Sequence, residues 1–416
     1  MLFDSPLRAE HQAFAALDAS RRTERAARAR AALTTRRTIE IEYLPFGPAD
    51  ESGAPTCEVV AAFAEVELEY AAIRSDCALV DCPQRATIAL RGKDRVDFVN
   101  RLVTQEIRKL SDGSVTSAFL TNRKGRIDAD LVIALAGDVL LIDTLAHDVV
   151  AITDALEKMR FSEDVAIESR ISTHTRIALH GPQAAAALKA LGLDAPQRLA
   201  TDSPSETMAW SAPLGDARAE IFRLDELGTI GFALSIPSTH VVNLWRSLVT
   251  FGARPAGWFA TNTARIEAGT PYFRIDFGPT NLPAESGVLI ERVSFTKGCY
   301  PGQEVVARMQ HLGKPKQRLV GLRIESDALP VADAQVFAFV DGGSLGDPIG
   351  VVTSSGLAPM LGAVPVAFAM LASSCYALGT KVLVNAEGTQ VAAVVTGLSF
   401  LADSTLDAAA RAESGA

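Results

Sequence analysis

The chain has 416 residues, 48% of them hydrophobic, with a formal net charge of −9 at pH 7. That length is enough for about three domains, and the acidic balance excludes broad binding along a nucleic-acid phosphate backbone. No apolar run approaches the roughly 20 residues a membrane-spanning helix needs; the longest candidate, Leu361 to Leu371, is interrupted by Gly362 and Pro365.

Residues 1–55 read as a helical, basic extension. Its first 45 residues are rich in Ala and Arg, and Asp50 to Pro55 is a loop. The arginines from Arg21 to Arg37 invite a transit-peptide reading. Asp4, Glu10, Asp18 and Glu24 oppose it, because such peptides avoid acids. Without the basic-then-apolar order of a secretory signal, the expected location is the cytoplasm. Val59, Val60, Phe63, Val66 and Ile73 predict a helix that leads into Leu79-Val80-Asp81. Arg85 to Arg91 alternates apolar and polar like a half-buried strand, and Val96, Val99, Leu102 and Val103 then recur at helical spacing. Ser117–Thr121, the turn Asn122-Arg123-Lys124-Gly125 and Arg126–Leu135 read as a hairpin. A strand over Asp138–Thr144, a helix over Val149–Met159, strands over Val165–Ser169 and Thr175–Leu179 and a helix over Gln183–Leu191 follow. Strands and helices mixed in this order suit an α+β layered fold. After Gly313, six short strands with Gly/Pro turns and no long helix predict a small β-barrel over residues 314–402. Residues 403–416 read as a frayed tail.

The five cysteines (57, 77, 82, 299 and 375) are odd in number and lack a C-x-x-C pair, so free thiols are expected rather than a disulfide framework or zinc site. Cys77 and Cys82 are expected to be buried structural thiols, since a cluster normally needs four thiolates. The six histidines show no H-x-H or H-E-x-x-H spacing, and no metal site is expected.

The most informative segment is Lys297-Gly298-Cys299-Tyr300-Pro301-Gly302-Gln303-Glu304. A cysteine set between two glycines, with Lys297 and Arg308 near it, suits an exposed turn with an activated thiol. This octet resembles the signature of the YgfZ proteins, a branch of the GcvT folate-binding superfamily. The likeness covers roughly residues 60–400 and includes the hairpin Asn122–Leu131, the Gly181-Pro182 turn, Ala264-Arg265-Ile266-Glu267-Ala268-Gly269 and Asn281-Leu282-Pro283. The resemblance implies a three-lobed fold over residues 56–313 plus the C-terminal barrel, with tetrahydrofolate in a central funnel. It implies Glu267 as the carboxylate on the pterin ring. Asn122, Arg126, Tyr300 and Lys297 follow as further folate contacts, and Cys299 as a reactive thiol. Where aminomethyltransferases read Asn-Asp, with a catalytic aspartate, this chain reads Gln105-Glu106, so Glu106 is the second catalytic candidate.

Three functions compete at this point. The resemblance favours a YgfZ-type folate-binding protein that supports iron–sulfur cluster assembly or repair, with iron–sulfur client or assembly proteins as partners. The alternatives are a folate-dependent aminomethyltransferase or other one-carbon transferase, and a non-catalytic interaction protein whose funnel no longer binds folate.

Overall fold

The computed structural model describes residues 5–28, 41–196, 208–340 and 344–401. Residues 29–40 of the basic extension and the tail expected at 403–416 lie outside the described residues. The N-terminal helix Arg8–Arg28 docks through Leu7, His11 and Ala15, which recur every four residues and are fully buried. His11 Nδ1 meets the Tyr43 hydroxyl at 3.1 Å, and its ring packs edge-on to Phe63.

The helix expected to begin near Val59 starts later. Glu58–Ala62 is instead a strand, paired antiparallel with Glu42–Pro45, and the helix runs Val66–Ser75. Val59 and Val60 are β-branched and pair with Leu44 and Tyr43 across the intervening loop, a pleated partner that helical periodicity cannot show. Glu69 fixes the break between strand and helix. Its Oε1 accepts from Phe63 N (2.7 Å) and Ala64 N (3.0 Å), and its Oε2 accepts from Gly257 N (2.8 Å).

Two antiparallel-rich sheets form the first two lobes. One has five strands in the order Val115–Thr121, Ile127–Ala136, Val139–Leu145, Arg85–Arg91, Ala166–Ser169. Its outer face is covered by helices Arg95–Asn100 and Val149–Met159 through Ile88, Leu90, Phe98, Val99, Ile152 and Leu156. The other has six, ordered Ala209–Leu214, Ala217–Arg223, Gly231–Pro237, His174–His180, Ala78–Asp81, Arg254–Pro255. Helix Ser238–Phe251 packs on it through Val241, Leu244, Trp245 and Leu248, one stripe at helical period. The inner faces meet along a seam that mixes alanines (Ala89, Ala134, Ala209 and Ala233) with Leu141 and Phe222. Buried polar contacts cross this seam: Thr87 Oγ1 to Ser235 Oγ (2.9 Å) and Arg176 Nε donating to Asp143 Oδ1 (3.3 Å).

The third lobe is a closed six-stranded barrel built from Gln317–Ile324, Val364–Ala372, Ser344–Ala358, Gln335–Val340, Lys381–Ala386 and Thr389–Thr396. Its interior is filled by Val320, Leu322, Val336, Val352, Val382 and Val384, the alternating branched residues such a barrel needs. The architecture is α+β, and the six strands expected after Gly313 are all present. Helix Trp258–Ala268 joins the lobes to the barrel and ends at Gly269, which takes φ = 84°. Arg265 on this helix is buried. It donates to Asp276 Oδ2 (2.7 Å) and Ser354 Oγ (2.8 Å), and Asp276 also accepts from Tyr272 N (2.8 Å) and Thr353 Oγ1 (2.9 Å). Among the described residues no helix is long and apolar enough to cross a membrane.

Candidate functional site

The octet is the loop between the short helix Leu289–Arg292 and helix Gln303–Leu312. Lys297 is 7% exposed, and its Nζ donates to the carbonyls of Asn100 (2.6 Å), Val103 (2.5 Å) and Gln105 (2.9 Å), just past helix Arg95–Asn100. A cation suits the carbonyl end of a helix. Burial pulls the Lys297 pKa down to about 8, with Glu106 opposing and Arg108 adding to the shift. Tyr300 is buried with Phe119, Ile127 and Val306, and Lys297 Nζ lies 5.4 Å from its ring centre. Thr121 Oγ1 donates to Pro301 O (2.6 Å). Gly302 takes φ = 79° and presses so closely on the Asn122–Gly125 turn that a Cβ would strike Asn122 O. Gly298 lacks a positive φ and has open space beside it, so the backbone demand falls on Gly302 alone. Between these clamps Cys299 is exposed, while Cys57, Cys77 and Cys82 are buried.

The other residues chosen from sequence do not converge on a cavity. Asn122 builds its own turn: its Oδ1 accepts from Lys124 N (3.0 Å) and Arg126 N (3.2 Å), and its Nδ2 donates to Asp128 (2.8 Å). Arg126 is exposed on the hairpin tip. Glu106 accepts from Arg108 N (3.1 Å) and sits beside Lys297, on the octet side of the molecule. Glu267 departs furthest from expectation. It is 0% exposed, and its carboxylate is taken up by Tyr70 Oη, Arg74 (2.5 Å) and Met360 N (3.0 Å). Oε2 accepts from Tyr70 and Arg74 and Oε1 from Met360 N, so the carboxylate ties helix Val66–Ser75 to the barrel edge rather than lining the cavity. The cavity walls include none of Glu267, Glu106, Asn122, Arg126, Lys297, Cys299 or Tyr300.

A central cavity does exist. It lies where the two sheets splay beyond their seam, with about 910 Å³ of empty space counting its mouth. The enclosed part of that space is small, about 100 Å³. Aromatic walls come from Phe46, Trp258, Tyr272 and Phe273, with Phe46 and Trp258 edge-to-face at 5.6 Å. The polar floor is dense in charge. Arg85 and Arg176 both line it and both donate to Asp143 behind it. Asp130 lines it too, its oxygens held by Arg292 Nε (2.8 Å) and Nη2 (3.3 Å).

Glu226 is the carboxylate that stands out. The loop joining Ala217–Arg223 to Gly231–Pro237 carries it into the cavity wall. Asp225 braces that loop by accepting from Arg223 Nε (3.0 Å) and Gly231 N (2.9 Å). No hydrogen bond from the described residues reaches the Glu226 carboxyl. Burial pushes its pKa up, with the Arg85 and Arg176 charges pulling the other way. Two more polar atoms around the cavity, Gln84 Oε1 and His180 Nδ1, are buried without partners. Buried polar groups are normally satisfied, so two unmet buried atoms beside the half-buried Glu226 make this cavity the candidate ligand site.

The GCVT N-terminal domain family matches residues 45–297, and the glycine cleavage T-protein C-terminal barrel domain matches residues 317–401. The chain belongs to the GcvT family. It is 26% identical over 348 residues to an aminomethyltransferase of Bacillus pumilus, covering 82% of this chain and 92% of that one. It is 27% identical to an aminomethyltransferase of Chloroherpeton thalassium over 346 residues, 80% of this chain and 90% of the relative. The fold matches the glycine cleavage system aminomethyltransferase T from Bartonella henselae at a TM-score of 0.75 and 24% identity, covering 87% of this chain and 94% of that one. The three-lobed GcvT-like architecture expected from the resemblance is therefore the architecture found.

Sequence reasoning missed the cavity residues of this GcvT-family chain. Asp130 left a usable signal: it is an acid in a strand whose other face, Ile127, Ala129, Leu131 and Ile133, is wholly buried. Glu226, between Leu224 and Leu227 in a loop, left almost none.

Proposed function

We propose that this GcvT-family protein binds tetrahydrofolate in the central cavity and handles the one-carbon unit it carries, as an aminomethyltransferase-type one-carbon transferase. GcvT aminomethyltransferases use tetrahydrofolate, and both relatives above carry that activity in their names. The observation that carries the reading is Glu226, a half-buried carboxylate with no hydrogen bond from the described residues, lining a cavity with aromatic walls. The fit is chemical: a carboxylate accepts two parallel N–H bonds from a 2-amino-pyrimidinone edge, and a flat ring suits Trp258 and Tyr272. When bound, tetrahydrofolate supplies the nitrogens that take up or release a one-carbon unit. Glu226 orients the ring, the Phe46–Trp258 pair excludes water, and Asp130, fixed by Arg292, presents a carboxylate to the amine end of a donor. In this reading Asp130 takes the role expected of Glu106, and Glu226 that expected of Glu267.

Calorimetric titration with tetrahydrofolate, followed by an assay of one-carbon transfer from an aminomethyl donor, tests it. Absence of binding at millimolar folate removes the reading; binding without turnover removes the transferase half.

One observation favours a second reading, the YgfZ type. Cys299 is displayed outside the cavity on a loop clamped at both ends. In that reading its thiol serves iron–sulfur client or assembly proteins, and five unpaired cysteines suit a reducing cytoplasm. Cys299→Ser separates the two: turnover that survives the change supports the transferase. Loss of iron–sulfur enzyme activity in cells, with folate binding intact, supports the YgfZ type.

A further inference from the structure

His180 ends strand His174–His180 on the cavity wall and is 2% exposed. Its Nδ1 has no hydrogen-bond partner. The ring lies against Gly231, where any Cβ would strike Nδ1; Gly231 in turn bonds Leu224 N through its carbonyl and Asp225 through its amide. The imidazole is thus packed on the root of the loop that carries Glu226. Burial, with the Arg176 and Arg74 charges beside it, pulls the His180 pKa down to about 3. At ordinary pH the ring is neutral, with one N–H to give and one lone pair. Nδ1 is turned onto Gly231, and no hydrogen bond among the described residues engages Nε2, so the nitrogen left for the cavity beside the Glu226 carboxylate is Nε2.

An acceptor–acceptor–donor face of this kind complements a donor–donor–acceptor edge. The 2-amino-4-oxo pyrimidine ring has that edge: the 2-amino N–H, the N3–H, then O4. We propose that His180 is a ligand-binding residue whose Nε2–H donates to O4 while Glu226 accepts the two N–H groups, so that the pair reads the oxo form of the ring. The proposal rests on the folate reading above and names the group that sets its specificity.

The test pairs a residue change with a ligand change. Wild type, His180→Leu and His180→Gln are titrated with tetrahydrofolate, with pterin and with 2-aminopteridine, which lacks O4 and with it the N3–H, so that only the part of the pterin preference lost in His180→Leu reports on His180. Wild type is expected to prefer pterin. His180→Leu is expected to weaken tetrahydrofolate and pterin about tenfold, the worth of one such hydrogen bond, and to shrink the pterin preference by the same factor. His180→Gln, which restores a donor, is expected to recover part of it. A purely structural role would weaken both pteridines equally and leave the ratio unmoved. If His180→Leu does not fold, His180→Asn, too short to reach, takes its place. Tight tetrahydrofolate binding with an unchanged pterin ratio overturns the inference and leaves the folate reading standing. No tetrahydrofolate binding by wild type overturns both.

Discussion

Replacing Glu226 by glutamine is expected to move ligand binding and stability in opposite directions. In the free protein the carboxyl is half-buried, has no hydrogen bond from the described residues, and has a pKa raised by burial. A raised pKa in the folded state means the group binds its proton more tightly there than in the unfolded chain. Its favourable contribution is complete below the unfolded value and is lost as pH rises through the folded one. At neutral pH, Glu226→Gln removes that burden, so the variant should unfold at equal or higher urea concentration than wild type. Binding should suffer instead. Two N–H bonds to a carboxylate are worth about 1.5–3 kcal/mol each. Glutamine keeps one acceptor and turns an N–H toward the second donor, a net loss of about 2–4 kcal/mol, or about 30- to 1,000-fold in Kd. Because the ligand needs the ionised form, wild-type affinity should rise with pH up to the free Glu226 pKa and then level off, whereas the variant should be flat. Urea melts and calorimetry from pH 5 to pH 8 read both effects. Wild-type affinity in the glutamine variant, or a destabilised variant with unchanged Kd, refutes the assignment.

Glu267→Ala should behave in the reverse way. It leaves Arg74 without its carboxylate and should cost about 3–5 kcal/mol of stability, while the folded fraction binds tetrahydrofolate as wild type does. Lys297→Met leaves the carbonyls of Asn100, Val103 and Gln105 unpaired. It should cost about 1–3 kcal/mol and raise amide hydrogen exchange across 293–302 by mass spectrometry; unchanged protection there would show that the ammonium does not hold the loop. His11 is pulled down to about 3, by burial first and by the Arg8 charge next. The unfolded chain then binds a proton that the folded one refuses, so stability falls as pH drops through about 6.5 toward 3. His11→Leu should flatten that slope by up to about 1.4 kcal/mol per pH unit, seen in urea midpoints at pH 7.5 and 5.5.

The elements that carry their own periodicity could be read from sequence. The hairpin around Asn122, helix Val149–Met159 and the six barrel strands are specified by local alternation, glycine turns and apolar stripes. Glu58–Ala62 was not, because its pairing with Glu42–Pro45 leaves no periodic mark in the sequence. The octet gave Gly302 its conformational meaning only once the hairpin lay against it, and Lys297 only once the carbonyls past helix Arg95–Asn100 met its ammonium. The Arg-x-Glu-Ala-Gly motif drew attention to two charged residues that proved to be ties between elements. An acidic side chain at a crossing of helices and one lining a cavity look alike in one dimension; they differ in the donors on Glu267 (Tyr70 Oη, Arg74 and Met360 N) and the lack of any from the described residues on Glu226.

Among the described residues the barrel contributes no wall to the central cavity, yet its Thr353 and Ser354 hydroxyls grip Asp276, whose other oxygen holds the amide of Tyr272. Tyr272 is a wall. The third lobe therefore works as a strut that sets the aperture of a chamber it never touches. A side-chain exchange at 353 or 354 would register as altered ligand fit in a part of the chain that a contact map of the ligand would leave blank.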